Sequence, residues 1–359
     1  MARKTDNKSG VLAVRFSALG DVALALPVIY QACRENPGRQ FIFLTRKLPA
    51  KLFINPPENL TVVGIDTSLY NGPAGVRRLF NELRRKYDFD TLVDLHDVLR
   101  TSLLRLYARI AGMKVAKIHK GRMEKRALTR KNAKKLVELT HSSERYRQTF
   151  RRAGIDVSDA FSTIFSTCPA DPALFAAASL PPKEGERWLA VAPFAAHKGK
   201  VYPMQLMAQV VDHYAALPDT KIFIFGAGKE EQRMIDSLTK GRGNVVNMAE
   251  KKIGMAGELA LMSRCETMLA MDSANMHLAS LVGLRTVSVW GATHPFSGFY
   301  GLGQDRADAV QLDMVCRPCS VFGNKPCRRG DYFCLNGINP QLIISRIDAK
   351  SSSIKDNED

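Results

Sequence analysis

Long apolar runs are missing from this 359-residue chain. None approaches the ~18 residues that a bilayer-spanning helix needs. The opening stretch, Met-Ala-Arg-Lys-Thr-Asp-Asn-Lys, lacks the apolar core of a secretory signal. A cytoplasmic protein is therefore expected. No Gly-x-Gly-x-x-Gly spacing and no Gly-x4-Gly-Lys-Ser/Thr run occurs, so neither dinucleotide nor P-loop ATP binding is indicated. Residues 171–359 contain no Asp-x-Asp pair of the kind that holds a diphosphate-bound metal. Acid is also scarce: 35 Asp+Glu face 52 Lys+Arg, a formal charge of +17. Such an excess speaks to partners and not to fold.

What is present is ordinary globular material, 45% hydrophobic and 24% charged, in a length that suits two domains of roughly 150 residues each. The charge is local. Residues 100–152 hold most of the excess, and the remainder of the chain is close to balanced. This segment reads as one or two basic-faced helices: LLRLYARIAGM, then a loop, then the stretch after Thr129. Three readings compete. It is a solvated face, a nucleic-acid contact, or a contact with a phosphorylated lipid or anionic membrane face. Aromatic residues are few there (Tyr107, Tyr146, Phe150) and no nucleic-acid motif occurs, so nucleic acid is the weakest of the three.

Apolar, β-branched runs punctuate both halves. VLAVRF, FIFLT, LTVVGI and DTLVDL read as buried strands in the first, with helical patterns between them. Pro27 is expected to bend or restart the helix running from Val22 towards Glu35. WLAVAPF, KIFIFGAG, NVVNM, ETMLAMD and RTVSVWG read as strands in the second half. Alternation of strand and helix means βαβ units and parallel sheets. The expected fold is α/β: two Rossmann-like, doubly wound domains, residues 1–170 and 171–359. The second carries a Cys-rich segment, 316–334, and a polar tail. Ligands are expected in a crevice between the two domains, at the carboxyl ends of the strands.

Several residues at strand ends suit transfer from an activated donor. Asp21 follows the first strand. It can cap the helix behind it, and it can also accept a proton as general base, with the helix dipole favouring its ionised form. Asp272-Ser273-Ala274-Asn275-Met276-His277 opens a helix after a strand. Small residues and free N–H groups there suit a phosphate, with a hydroxyl from Ser273 and an imidazole from His277. His277 reads equally well as a core histidine. Lys200, with Lys198 beside it, can neutralise a diphosphate as a point charge. Glu230 follows the FGAG turn, where an acid can hold a ribose diol.

The ordered motifs VRFSALGDVALALP, AAHKGKVYP, FGAGKEEQR and MDSANMHLASLVGLRTVSVWGATHP resemble those of the bacterial heptosyltransferases, over about residues 10–345. That resemblance implies a GT-B fold. It also implies inverting, metal-independent transfer of heptose from ADP-heptose to the lipopolysaccharide inner core. It implies Asp21 as base, Lys200 on the donor diphosphate, Glu230 on the ribose and Asp272 on sugar hydroxyls. Ser273, Ala274 and His277 would hold phosphate. Arg100, Arg105, Lys120 and Arg122 would face a phosphorylated glycolipid acceptor at the inner face of the inner membrane. The sequence departs from the family at Ala195, Ala196, Tyr202, Ala274 and His294. Transfer of another nucleotide sugar, or nucleotide-sugar binding without turnover, are the alternatives, with nucleic-acid binding behind them.

No cofactor is expected for catalysis. Cys316, Cys319, Cys327 and Cys334 form C-x2-C-x7-C-x6-C. A paired start in a cytosolic chain favours structural zinc, with free thiols and disulfides as the other two states.

Overall fold

The computed structural model describes residues 10–349. The first nine residues and the polar tail from residue 350 lie outside that range. The described chain divides into two compact units. One holds the chain up to Gly121 together with Thr140–Ile164. The other holds Arg122–Leu139 together with the chain from Phe165 onward.

The first unit runs β1 (Gly10–Val14), α1 (Leu19–Glu35), β2 (Phe41–Arg46), α2 (Lys47–Ala50), β3 (Leu60–Ile65), α3 (Gly72–Lys86), β4 (Phe89–Asp94), α4 (Leu99–Ile110) and β5 (Lys114–Lys117). The chain then contributes α5 (Arg122–Leu128) to the second unit and returns with α6 (Ser142–Arg152). The five strands are parallel, in the order β3-β2-β1-β4-β5. Leu12, Val14, Ile42, Leu44 and Leu92 of the sheet pack against Leu79, Phe80, Leu83 and Leu104 of α3 and α4. Burial on both faces is why these strands read as unbroken apolar runs.

The second unit continues with β6 (Arg187–Ala192), α7 (Met204–Ala215), β7 (Thr220–Ile224), α8 (Lys229–Thr239), β8 (Val245–Asn247) and α9 (Met248–Lys251). It closes with α10 (Gly254–Met262), β9 (Thr267–Met271), α11 (Ala274–Leu281), β10 (Thr286–Val289), β11 (Ala309–Val310), α12 (Phe333–Asn336) and α13 (Pro340–Asp348). Its sheet is also parallel, ordered β11-β10-β9-β6-β7-β8.

Each sheet therefore reverses direction once. In the first the chain winds outward from β1 through β2 and β3, then crosses back to β4. In the second it winds from β6 through β7 and β8, then crosses back to β9. The loops leaving β1 and β4, and those leaving β6 and β9, flank these two switch points, where open α/β sheets bind ligands.

Three local expectations change. The first helix begins at Leu19 and runs unbroken to Glu35 with Pro27 inside it, so proline neither ends nor restarts it. The stretch after Thr129 does turn helical, but only from Ser142, as α6. The basic stretch also contains an unexpected strand, β5, whose KVAK sequence is too short and too charged to read as one. It is an edge strand, and edge lysines discourage further pairing. Among the described residues, no helix is long and apolar enough to cross a membrane.

Candidate active site

At the first switch point, Asp21 stands in the first turn of α1 and accepts from the Ala18 N–H at 3.1 Å. The capping reading is thus realised from inside the helix. Arg15 pairs with it as well, its guanidinium 2.7 Å from Asp21 Oδ2. Arg15 is buried, donates to the Leu95 carbonyl, and lies over the Tyr146 ring at 5.4 Å. Tyr146 in turn donates from its hydroxyl to the Asp21 carbonyl at 3.4 Å. The carboxylate is therefore held by the Ala18 N–H and by the Arg15 guanidinium just after β1, while Tyr146 of α6 holds the Asp21 backbone.

The loop after β4 supplies His96 beside it. The Phe16 N–H donates to His96 Nδ1 at 3.3 Å, which leaves the ring proton on Nε2. Burial, then the charges of Arg15 and Lys120, push His96 down to about 4, so it is neutral at pH 7. Asp94 at the end of β4 is fully buried and accepts from the N–H groups of His96 and Asp97 at 2.8 and 2.9 Å. Arg105 closes that loop by pairing with Asp94 and Asp97.

The four cations expected to face an acceptor do not share one setting. Arg105 is buried beneath the β4 loop. Arg100 donates to the Thr67 carbonyl and to Asn71 Oδ1. Lys120 Nζ donates to the Asp97 carbonyl at 3.0 Å. Arg122 opens α5 and is exposed, within the second unit.

At the second switch point, Lys200 Nζ lies 3.0 Å from Asp272 Oδ2, and both side chains are largely buried. Ser273 is the N-cap of α11, yet its side chain makes no capping bond, and its Oγ is buried with no partner among the described residues. Ala274 is the first residue of the helix, and His277 lies buried one turn in. So Lys200 on the β6 loop meets Asp272 and Ser273 at the end of the β9 loop, where the first turn of α11 carries Ala274 and His277. An uncapped helix start beside a cation is a ready anion site. Glu230 lies in the first turn of α8, just after the β7 loop, and is exposed. Its neighbour Glu231 holds the glycine turn, accepting from Ala227 N–H at 2.7 Å.

The loop carrying Lys200 is fixed by contacts that the motifs did not reveal. Ala292 N–H donates to the Gly199 carbonyl at 2.8 Å, and Cys319 N–H donates to the Ala292 carbonyl at 3.0 Å. A Cβ on Gly291 would stand 2.6 Å from the Gly199 oxygen, so only glycine permits this approach. Buried Arg317 donates to the carbonyls of Gly291 and Thr293 from beneath. His294, one of the departures noted in the sequence, caps the next turn: its Nδ1 accepts from Phe296 N–H at 3.1 Å. Burial, then Arg317, pushes it down to about 4. A neutral imidazole thus provides an acceptor there. Tyr202 is buried and donates to the Ile338 carbonyl at 2.7 Å.

Cys316, Cys319, Cys327 and Cys334 line one small cavity with Ala292, Arg317 and Tyr332. All four are thiols with no disulfide among them. Burial raises the Cys334 thiol to about 11 and also raises Cys319. The donor set, four sulfurs around one space, suits a soft metal such as zinc. No group of three or more His, Cys, Asp or Glu among the described residues is arranged in this conformation to hold a metal ion.

The sequence profile of glycosyltransferase family 9 (heptosyltransferase) matches residues 76–327. The chain belongs to that family. It is accordingly a glycosyltransferase. The lipopolysaccharide heptosyltransferase 1 of Pseudomonas aeruginosa is 24% identical to this family 9 chain, over 94% of it and 97% of the relative. The crystal structure of the glycosyl transferase family 9 protein from Veillonella parvula matches with a TM-score of 0.70 at 18% identity, covering 96% of this chain and 98% of that one. The E. coli heptosyltransferase WaaC with ADP matches with a TM-score of 0.62 at 17% identity, covering 94% and 99%. The fold of the family 9 chain is thus GT-B, with two Rossmann-like doubly wound units.

Proposed function

We propose that this chain is an inverting, metal-independent transferase that moves heptose from ADP-heptose to a phosphorylated lipopolysaccharide-core acceptor, at the cytoplasmic face of the inner membrane. One observation carries the donor half of this reading. Lys200, the start of α11 without a side-chain cap and the Ser273 hydroxyl, buried with no partner among the described residues, stand together at the second switch point. The names of the relatives support heptose, and the ADP in the E. coli neighbour supports an adenine nucleotide.

In this scheme Asp21 accepts the proton of the acceptor hydroxyl as its oxygen attacks the anomeric carbon. The bond from that carbon to the diphosphate breaks on the opposite face. The nucleoside diphosphate takes the electron pair, and configuration inverts. Negative charge grows on the leaving group, where Lys200, the N–H groups of Ser273 and Ala274, and His277 stabilise it. These groups supply the electrostatic help that a metal would otherwise give. Glu230 binds the ribose diol and Asp272 the sugar hydroxyls. Arg100, Lys120 and Arg122 meet acceptor phosphates, with Arg105 holding the Asp97 loop beneath them. Cys316, Cys319, Cys327 and Cys334 hold a structural zinc apart from the chemistry. Metal analysis of protein purified without added zinc checks this; a stoichiometry near zero removes it.

The deciding experiment measures ADP release from ADP-heptose with purified core glycolipid. Release that requires both substrates is expected. Nucleotide-sugar binding with no release from any donor would leave a binding protein instead.

A further inference from the structure

The outward side of α4 is apolar. Leu99 is 81% exposed, Ile110 75% and Leu106 48%. With the half-buried Leu103 they recur every three to four residues, which places them in one stripe along the helix. Thr101, Leu104, Arg105 and Ala108 are the buried side. A helix that covers a sheet ordinarily turns polar residues to water on its far face. This one turns leucine and isoleucine.

Helix α3 lies alongside. The Tyr107 hydroxyl donates to the Pro73 carbonyl at 3.0 Å, and the Tyr107 and Phe80 rings meet at 6.2 Å. The outward side of α3 is cationic: Arg77, Arg78, Arg84 and Arg85 line one open trough with Ala74 and Asn81. Its one acid, Glu82, is engaged by Tyr70 and Arg78. Helix α4 has no acid and adds exposed Arg109. Two neighbouring helices thus present an apolar stripe flanked by guanidinium groups.

We propose that the α3–α4 face is a docking surface for an anionic phospholipid bilayer. The stripe enters the interfacial layer and the arginines meet lipid phosphates. Binding of this kind grows with buried apolar area and with attraction to anionic headgroups, and here both are present on one face. A second copy of the chain fits less well. A two-fold contact centred on α4 would bring the arginine rows of both copies towards each other. Nucleic acid would match the arginines but leave the exposed Leu99 and Ile110 in contact with charged phosphates. The inference does not depend on the proposed reaction, although Leu99 follows directly on the loop that carries His96 and Asp97.

Cosedimentation of the full chain with vesicles tests it. Vesicles of phosphatidylcholine with about 30% phosphatidylglycerol are compared with phosphatidylcholine alone, at low and high salt. The anionic vesicles should bind roughly tenfold or more tightly, and salt should weaken them. The double variant Leu106→Asp, Ile110→Asp should lose most binding, as should Arg84→Glu, Arg85→Glu. Both pairs are at the surface, so an unchanged thermal midpoint reports an intact fold. Turnover on a water-soluble acceptor fragment should also be unchanged. Equal binding to both vesicle types, or variants that bind as the parent does, would overturn the proposal. So would a dimer that Ile110→Asp dissociates, in protein that ignores vesicles.

Discussion

Lys200 and Asp272 form a largely buried ion pair, 3.0 Å apart, that joins the two loops flanking the switch point of the second sheet. Neither residue can be removed without leaving the other's charge poorly compensated in a desolvated setting. Lys200→Ala should therefore lower kcat/KM by about two orders of magnitude, through both diphosphate binding and leaving-group stabilisation. Lys200→Arg should rescue little, because a planar fork does not replace a compact point charge. Steady-state kinetics with varied donor check this. Full activity in the alanine variant would remove Lys200 from the site.

Asp21→Asn should cost roughly two to four orders of magnitude in kcat while nucleotide affinity, read by calorimetry, stays within about twofold. Asparagine keeps an oxygen for the Ala18 N–H, so the helix start survives. Turnover that persists would mean another group takes the proton.

Gly323 tests the link between the Cys-rich segment and the donor site. Its φ is +76°, and an added Cβ would collide with Cγ and Cδ of Lys200. Gly323→Ala is expected to cost about 1–2 kcal/mol of stability. It should also raise donor KM severalfold, whereas Gly330→Ala, at an equally positive φ with open space around it, should affect stability alone. Equal donor KM in the two variants would show that Lys200 does not depend on this turn.

Stability should fall as pH drops. His96 and His294 are both held near 4 by burial first, with arginine charge adding to it. Between about 6.5 and 4 the unfolded chain binds protons that the folded chain refuses, so unfolding gains up to about 1.4 kcal/mol per pH unit from each histidine. The share of the loss that comes from these two histidines should level off below pH 4. His294→Asn keeps an acceptor for the Phe296 N–H and removes one titrating ring. Urea midpoints across this range should then show a shallower slope; an unchanged slope would mean that His294 does not titrate as its surroundings dictate.

Strands buried on both faces were plain in the linear sequence, because burial writes them as apolar runs. The runs at FIFLT and ETMLAMD became β2 and β9 with boundaries shifted by a residue or so. β5 and β11 were hidden, one by its lysines and the other by a length of two residues. Positions after strands were also legible, which is why Lys200 and Asp272 could be singled out from distant stretches. Their contact was not legible, since it depends on β6 and β9 being neighbours. The same holds for Arg15 on Asp21 and for Arg317 beneath Gly291. Arg105 reads as one more surface cation until the β4 loop folds over it. Residues 129–141 carry Ala133, Leu136 and Val137 at helical spacing, but these side chains find no core to cover and stay exposed, so the stretch turns helical only from Ser142.

The excursion of residues 122–139 into the second unit bears on any attempt to obtain half-molecules. Leu128 is fully buried there, Glu138 pairs with Arg306, and Leu139 N–H donates to the Phe296 carbonyl. A gene cut at Phe165 would leave this stretch on the wrong fragment, stripping one product of a helix and burdening the other with an orphaned basic loop. Splitting such a polypeptide cleanly would require a circularly rearranged design in which that borrowed piece travels with its hosts.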